Sequence, residues 1–207
     1  LGTGHNGSDN DKKGLSRLKK YADMFGLTDK SGVELQEASP RFSTTDIVRS
    51  AIGQATHAYT PSQLSRYVTT VANNGTCYNL TLVDKVKDVS GKVILDNKAK
   101  VRNKVKIHSS TWNAIHHGMY LVANGPNSSI KSMFTNLKQT VAGKTGTAQL
   151  NTYHANHAYF MSYAPYKNPK ISVTCVIPNG YASSNAVQTA RDVYKYYFSK
   201  NKKKVSG

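Results

Sequence analysis

The last third of the chain leaves the least freedom in how it folds. Three segments, Thr140–Leu150, Ala158–Ala164 and Ile171–Pro178, read as strands, and the second and third are joined by the turn-forming stretch Pro165–Pro169. The first two are expected to lie antiparallel. Helical spacing marks the flanking segments. Leu15, Leu18, Tyr21, Ala22 and Phe25 form one apolar stripe, and Gly26 directly after it is a natural left-handed stop. Thr60, Pro61 and Gln63 make a helix start in which Thr60 and Gln63 complete a capping box, with Leu64, Tyr67, Val68 and Val71 as the buried face. A third helix is expected from Ser109 or Ser110 as cap, burying Trp112, Ile115, Met119 and Val122 and finished by Asn124-Gly125-Pro126. Ala186, Ala190, Val193 and Tyr197 give the last helix.

Between these, residues 28–58 show no sustained period and read as loop with about one helical turn. Alternation in Leu80–Val89, the turn Ser90-Gly91 and the run Lys92–Leu95 predict a hairpin followed by a basic connector. No internal repeat is present. Helices, then strands, then a helix fit an α/β (α+β) domain whose antiparallel sheet is covered by helices. The 207 residues suit one domain or part of a larger one, with flexible ends at about 1–13 and 200–207. The apolar share of 38% is modest, but it is gathered into periodic segments. No run approaches the 18 or so apolar residues of a membrane span, and the first residues lack the apolar middle of a signal peptide. A start at Leu1 without Met suggests a processed or truncated product.

Charge is the strongest bulk signal, since 28 Lys and Arg face 11 Asp and Glu for a net +17. An anionic neighbour is expected, whether nucleic acid, acidic lipid, wall polymer or a phosphate-bearing substrate. Cys77 and Cys175 are too few for a disulfide framework and lack metal-ligand spacing, so neither a metal nor a cofactor is implied.

The chemistry concentrates in Thr140–Gln149, which carries Gly143-Lys144-Thr145-Gly146-Thr147. A phosphate loop also uses Gly-Lys-Thr, but it needs a Gly five residues before Gly143, where Lys138 stands. The segment reads instead as an exposed strand. Gly143 and Gly146 clear space for another backbone, Lys144 supplies a cation, and Thr145 and Thr147 supply hydroxyls. Such an edge accepts an extended peptide by strand addition, here one bearing a carboxylate.

At this point the chain resembles the class B penicillin-binding proteins, whose transpeptidase domains carry a Lys-Thr-Gly strand as one of three active-site motifs. The likeness runs through Ile52-Gly53-Gln54, Tyr59-Thr60-Pro61-Ser62-Gln63-Leu64 and Val71-Ala72-Asn73-Asn74-Gly75-Thr76. It continues in His117-Gly118-Met119 with Val122, in Val141–Gln149, in His157-Ala158-Tyr159-Phe160 and in Tyr163-Ala164-Pro165. One departure from the family is Asn179-Gly180-Tyr181-Ala182-Ser183-Ser184, where many members have a Gly-rich turn; this puts the shape of that loop in question.

The resemblance implies a peptidoglycan D,D-transpeptidase that works through a serine acyl-enzyme and is a target of β-lactam antibiotics. It assigns Lys144 to the proton network and to the substrate carboxylate, and places Thr145, Gly146 and Thr147 against that carboxylate. The backbone N–H of Thr147 would be half of an oxyanion hole. His157 falls beside the strand. The stem peptide, β-lactams, the upstream part of the same protein and the elongation or division machinery are the implied partners, at the extracytoplasmic face of the bacterial membrane, with an anchor outside this chain.

The family also needs Ser-x-x-Lys and Ser-x-Asn upstream of the strand. Ser16/Lys19, Ser128/Lys131 and Ser199/Lys202 match the first pattern in the wrong order, while Ser8-Asp9-Asn10 stands in roughly the right place for the second but among solvated residues. Ser183-Ser184-Asn185 comes too late. The expectation is therefore the C-terminal portion of a transpeptidase domain, with the nucleophile absent from this chain. Two other readings compete: a basic module binding an anionic polymer or nucleic acid without catalysis, and a serine β-lactamase relative. Against nucleic acid, no aromatic-and-basic ribonucleoprotein, zinc or helix-turn-helix signature is present. Adjacent His116 and His117 point to different helix faces and do not suggest a metal pair.

Overall fold

The computed structural model describes residues 9–149 and 152–200. These form two compact units. The first runs to Thr70 and resumes over Asn74–Lys106; the second comprises Val71–Asn73 and the chain from Ile107 onward.

In the first unit, helix α1 (Asp9–Met24) begins ahead of the expected stripe, so residues 9–13 are helical where a loop was expected. Its exit is as predicted: Gly26 has φ +76°, and Leu27 N–H reaches back to the Ala22 carbonyl at 2.8 Å. The single turn expected between residues 28 and 58 is α2 (Ile47–Ala51). Helix α3 (Pro61–Ala72) starts with the capping box: Gln63 N–H donates to Thr60 Oγ1 at 3.2 Å, and Thr60 N–H donates to Gln63 Oε1 at 2.9 Å.

Two strand pairs follow. Strand β1 (Thr76–Asn79) pairs antiparallel with β4 (Lys100–Lys104), and β2 (Lys85–Lys87) with β3 (Val93–Asp96). The hairpin was expected to start at Leu80. Its first strand is shorter because Glu34 takes residues 81–82 out of the ladder, accepting from Leu82 N–H at 2.8 Å and from the Thr81 hydroxyl. The "basic connector" is in part strand β4, which the lysines at both its ends disguise.

Polar groups fasten this unit. The fully buried Arg66 donates to the carbonyls of Gly26, Asp29 and Lys30 and to Asp29 Oδ1 at 2.9 Å. Arg102 holds the other Asp29 oxygen at 3.0 Å and Asp23 Oδ1 at 2.7 Å. Buried Glu37 accepts from Ser31 N–H at 2.7 Å and from the hydroxyls of Ser31, Thr60 and Ser62, which ties the 31–37 loop to the start of α3.

The second unit is built around a three-stranded antiparallel sheet in the order β5 (Ala142–Ala148), β6 (His157–Ala164), β7 (Ile171–Ile177), matching the three expected strands. Helix α5 (Ser183–Lys200) covers one face, burying Ala186, Val187, Ala190 and Tyr194 against Ala158, Phe160 and Cys175. The buried stripe therefore passes through Tyr194; Val193 is 41% exposed. Each large side chain buried here contributes about 1.5–3 kcal/mol. The other face is covered near the start of β5, where Met119 of α4 (Ser109–Asn124) packs with Ala72, Ala142 and the fully buried Tyr163.

Two details of α4 correct the sequence reading. His108 is its cap, without a side-chain bond, so Ser109 and Ser110 lie inside the helix. Gly125 ends it at φ −61°, and does so in extended backbone. Cys77 and Cys175 are both buried free thiols.

Gly143 is fixed by packing. A methyl there would meet Phe160 Cζ at 2.6 Å and Ser162 Cβ at 2.9 Å. The crowding comes from the neighbouring strand of the same sheet, whereas the expectation was space for an incoming backbone. Gly143→Ala should cost about 1–3 kcal/mol, whereas Gly118→Ala on α4, where nothing lies within 4 Å, should be neutral or stabilising. Thermal unfolding of both variants checks this.

Glu37 yields a pH prediction. Burial pushes its carboxyl up, but the hydrogen bonds from Ser62, Thr60 and Ser31 outweigh this and hold it below the ordinary 4.5. A lowered folded-state value adds stability above 4.5 that is lost as pH falls through the folded value. Glu37→Gln should therefore destabilise the protein at pH 7 by roughly 1–3 kcal/mol, and denaturant titrations at descending pH should show the gap to wild type closing in acid.

Candidate active site

Strand β5 has a partner on one side only, so the segment rich in glycine, lysine and threonine is an edge of the described sheet. Its pairing with β6 is regular from Ala142↔Tyr163 to Ala148↔His157, without a bulge. Strict alternation follows. Lys144, Gly146 and Ala148 share the face of Tyr163, Met161 and Tyr159, and Gly143, Thr145 and Thr147 share the face of Ser162, Phe160 and Ala158. The expected site residues are thus brought together along one strand, but the lysine and the threonine side chains leave it on opposite faces. What all of them share is the open edge, where every second residue presents its backbone N–H and C=O.

Lys144 and Thr147 are exposed, while Thr145 and Gly146 are half-buried. The Lys144 ammonium donates to the carbonyl of Thr145 at 2.8 Å, so it lies along its own strand. Beside Gly146 the nearest side chain is Tyr159, whose Cβ would be 3.3 Å from an added methyl. This keeps the face beside Lys144 low.

Behind the edge, α4 supplies braces that the sequence did not reveal. Asn124, read only as part of a helix stop, donates from Nδ2 to the Val141 carbonyl at 2.8 Å and holds the entry to β5. His116 meets the Tyr163 hydroxyl through Nδ1. Burial pushes the Tyr163 phenol up and the His116 imidazole down, which favours the neutral form of both. His117 stands apart, stacked on Tyr120.

His157 is explained by structure. Its Nδ1 accepts from the Asn179 N–H at 2.9 Å, and the Tyr181 N–H donates to the Asn156 carbonyl at 3.0 Å. These bonds fix the 178–182 loop in place of a Gly-rich turn. Gly180 is buried there, with Ala158 Cβ 2.8 Å from where a methyl would stand. Asn179 and Tyr181 take positive φ, 53° and 61°.

The Ser-x-x-Lys matches are occupied elsewhere. Ser128 Oγ donates to the Val122 carbonyl at 2.5 Å and accepts from the Ile130 N–H, which makes it a loop residue. Ser199 Oγ bonds the Tyr196 carbonyl at 2.8 Å within α5. Ser16 is exposed on α1 of the other unit. Asp9 and Asn10 form the first turn of α1, and Ser8 lies outside the described residues. Asn185 bonds the Gly180 carbonyl at the start of α5. Trp112 and Tyr194 are core, but Tyr196 is 67% exposed. Among the described residues, no three His, Cys, Asp or Glu side chains are grouped to hold a metal.

Comparison with known proteins bears on the same strand. The family model for the penicillin binding protein transpeptidase domain matches residues 8–195. Peptidoglycan D,D-transpeptidase MrdA of Haemophilus influenzae is 31% identical over 218 residues, covering 89% of this chain and 33% of its own length. Penicillin-binding protein H of Bacillus subtilis is 32% identical, covering 82% of this chain and 26% of its own. Penicillin-binding protein 2B of Streptococcus pneumoniae superposes with a TM-score of 0.82 at 28% identity over 95% of this chain and 34% of its own. An imipenem acyl-enzyme complex of penicillin-binding protein A from Mycobacterium tuberculosis shares the fold, with a TM-score of 0.76 at 22% identity. The chain spans about a third of the length of the relatives it matches. It belongs to the penicillin-binding protein transpeptidase family, among relatives of class B.

Proposed function

We propose that this chain is the part of a peptidoglycan D,D-transpeptidase that binds the acyl-donor peptide, and that a serine elsewhere in the protein carries the acyl group. The observation that carries the reading is the open edge of β5 with Lys144 exposed on it. A stem peptide in extended form adds to this edge as a further strand, and its terminal carboxylate meets Lys144 and the hydroxyls of Thr145 and Thr147. For a single carboxylate to reach both faces it must sit at the edge itself, between the two rows of side chains. Lys144 then exchanges its bond to the Thr145 carbonyl for the incoming anion, a stronger charge-assisted contact.

The backbone N–H of Thr147 is one oxyanion donor in this mechanism. It stabilises the negative charge that develops on the scissile carbonyl oxygen as the tetrahedral intermediate forms, and the second donor comes from the nucleophile's own residue. Asn124 and the His116–Tyr163 pair hold the strand against α4, so the donor keeps its position. A β-lactam occupies the same edge, with its carboxylate in place of the peptide's. The substrate places the protein at the extracytoplasmic face of the bacterial membrane, held by a part of the protein outside this chain. A partner in elongation or division is in keeping with a neighbouring fold, penicillin-binding protein 2 of Helicobacter pylori, solved in complex with MreC.

Two experiments test the reading. In the complete protein, Lys144→Ala should slow acylation by labelled penicillin about 10²–10³-fold, the effect of removing one preorganised charge contact at a reacting centre; unchanged labelling would remove Lys144 from the mechanism. The 207-residue chain alone should take up no penicillin, because the nucleophile must stand within hydrogen-bond range of its base. Intact-mass measurement and peptide mapping check this, and a stoichiometric adduct on Ser16, Ser128 or Ser199 would overturn it.

A further inference from the structure

The positive charge of the second unit is gathered at one end of its sheet. From Asn97 to the end of the chain the only carboxylate side chain is Asp192, and it is engaged by Arg191 at 3.0 Å and Lys195 at 3.9 Å. No Lys or Arg occurs in residues 145–166 or 171–190. Those stretches hold the β5–β6 connection, the loop after β7 and the start of α5, which together make the other end of the sheet.

The fold draws the remaining lysines together. The Thr140 carbonyl accepts from the Tyr166 N–H at 2.7 Å, and the Ala164 carbonyl from the Lys170 N–H at 2.9 Å. Lys138, Lys167 and Lys170 therefore stand around the same sheet end. Helix α5 runs back towards it: Tyr194 bonds Ser162 at 2.8 Å, and Phe198, four residues on, packs against the same buried cluster as Ile171, Met133 and Leu137. This brings Lys200 to the same end, and the short 3-10 turn Lys131–Phe134, which packs on α5, adds Lys131. Lys131, Lys138, Lys167 and Lys170 are all exposed, and among the described residues none is in an ion pair. The chain continues with Lys202, Lys203 and Lys204, outside the described residues.

We propose that this end of the second unit is a docking surface for a flexible, soluble phosphodiester polymer without bases, since bases call for open aromatic faces on which to stack. Three features select that occupant. The free cations are all lysines, hydrated point charges that meet single phosphate oxygens without a fixed direction of approach, and Arg191 is already committed to Asp192. The lysines are carried by the α4–β5 and β6–β7 connections as well as α5, which fits a chain that bends from one to the next. A lipid surface would call for several exposed apolar anchors, but the large exposed aromatic here is Tyr196, covered by the Lys200 ammonium 5.8 Å from its ring centre. The inference does not depend on the transpeptidase reading.

The test titrates the protein with fluorescent poly(glycerol phosphate) over a range of salt. Binding should weaken with salt in proportion to the phosphates neutralised. Replacing Lys131, Lys138, Lys167 and Lys170 together by Gln should cost at least about tenfold in affinity and flatten the log–log salt slope by roughly 3, at about 0.7 per lost phosphate contact. The same four positions changed to Arg should retain binding, and Gln at Lys85, Lys87, Lys92 and Lys98 of the first unit should leave it within about twofold. Circular dichroism confirms that each variant is folded. Equal losses from both Gln sets would reduce the effect to net charge and overturn the proposal. So would tighter binding, at matched phosphate, to phosphatidylglycerol vesicles or to a single-stranded DNA oligonucleotide.

Discussion

The backbone of β5 is bonded to β6 along one side and has no strand on the other among the described residues, so alternate N–H and C=O groups between Ala142 and Ala148 must be met by something other than sheet. An edge of this kind invites uncontrolled pairing, and proteins blunt it with charge. Here Lys144 serves that purpose, its ammonium lying on the Thr145 carbonyl of its own strand. In the function proposed above, the same group becomes the recognition group once an anionic peptide replaces the carbonyl. Protection and recognition are then alternative bonds of one ammonium.

An edge is useful for catalysis only if it does not move, and the second unit is arranged to hold it. Phe160 fills the space that a side chain at position 143 would need, which locks the strand spacing from beneath. Asn124 clamps Val141, and Tyr163 is buried between Ala142 and the α4 side chains with its hydroxyl on His116. At the far end His157 and Asn156 fix the loop that follows β7. The first unit is stabilised by other means. Its anchors are buried or half-buried charges: Arg66 and Arg102 are held by backbone carbonyls and by the carboxylates of Asp29 and Asp23, and Glu37 by the Ser31 N–H and the hydroxyls of Ser31, Thr60 and Ser62.

The difference between the units explains what could be read in advance. Alternation and turn residues were sufficient for β5, β6 and β7, and the Thr60/Gln63 reciprocal bonds could be foreseen because both partners lie within one helical turn. Strands β1 and β4 could not be foreseen in the same way. Each is short, and β4 is polar at four of its five positions, so its pairing depends on a partner more than twenty residues distant. Arg66 lies outside the apolar stripe that the spacing marks on its helix; the carbonyls of Gly26, Asp29 and Lys30 and the Asp29 carboxylate, arriving from far along the chain, make its burial favourable. The site strand was legible by its residue types, but the separation of Lys144 from Thr145 and Thr147 onto opposite faces required the register. Asn124 and the His116–Tyr163 bond required the packing of α4.

In the proposed function the free edge of β5, on the parity of Thr145 and Thr147, receives the substrate backbone. Site-resolved amide hydrogen exchange of the complete protein, before and after acylation by a β-lactam, addresses it directly. The amides of Thr145 and Thr147 should exchange readily in the free enzyme and slow markedly in the acyl-enzyme, while those of Lys144 and Gly146, already laddered to β6, should change little. Protection that appears elsewhere, with Thr145 and Thr147 unaltered, would contradict the account.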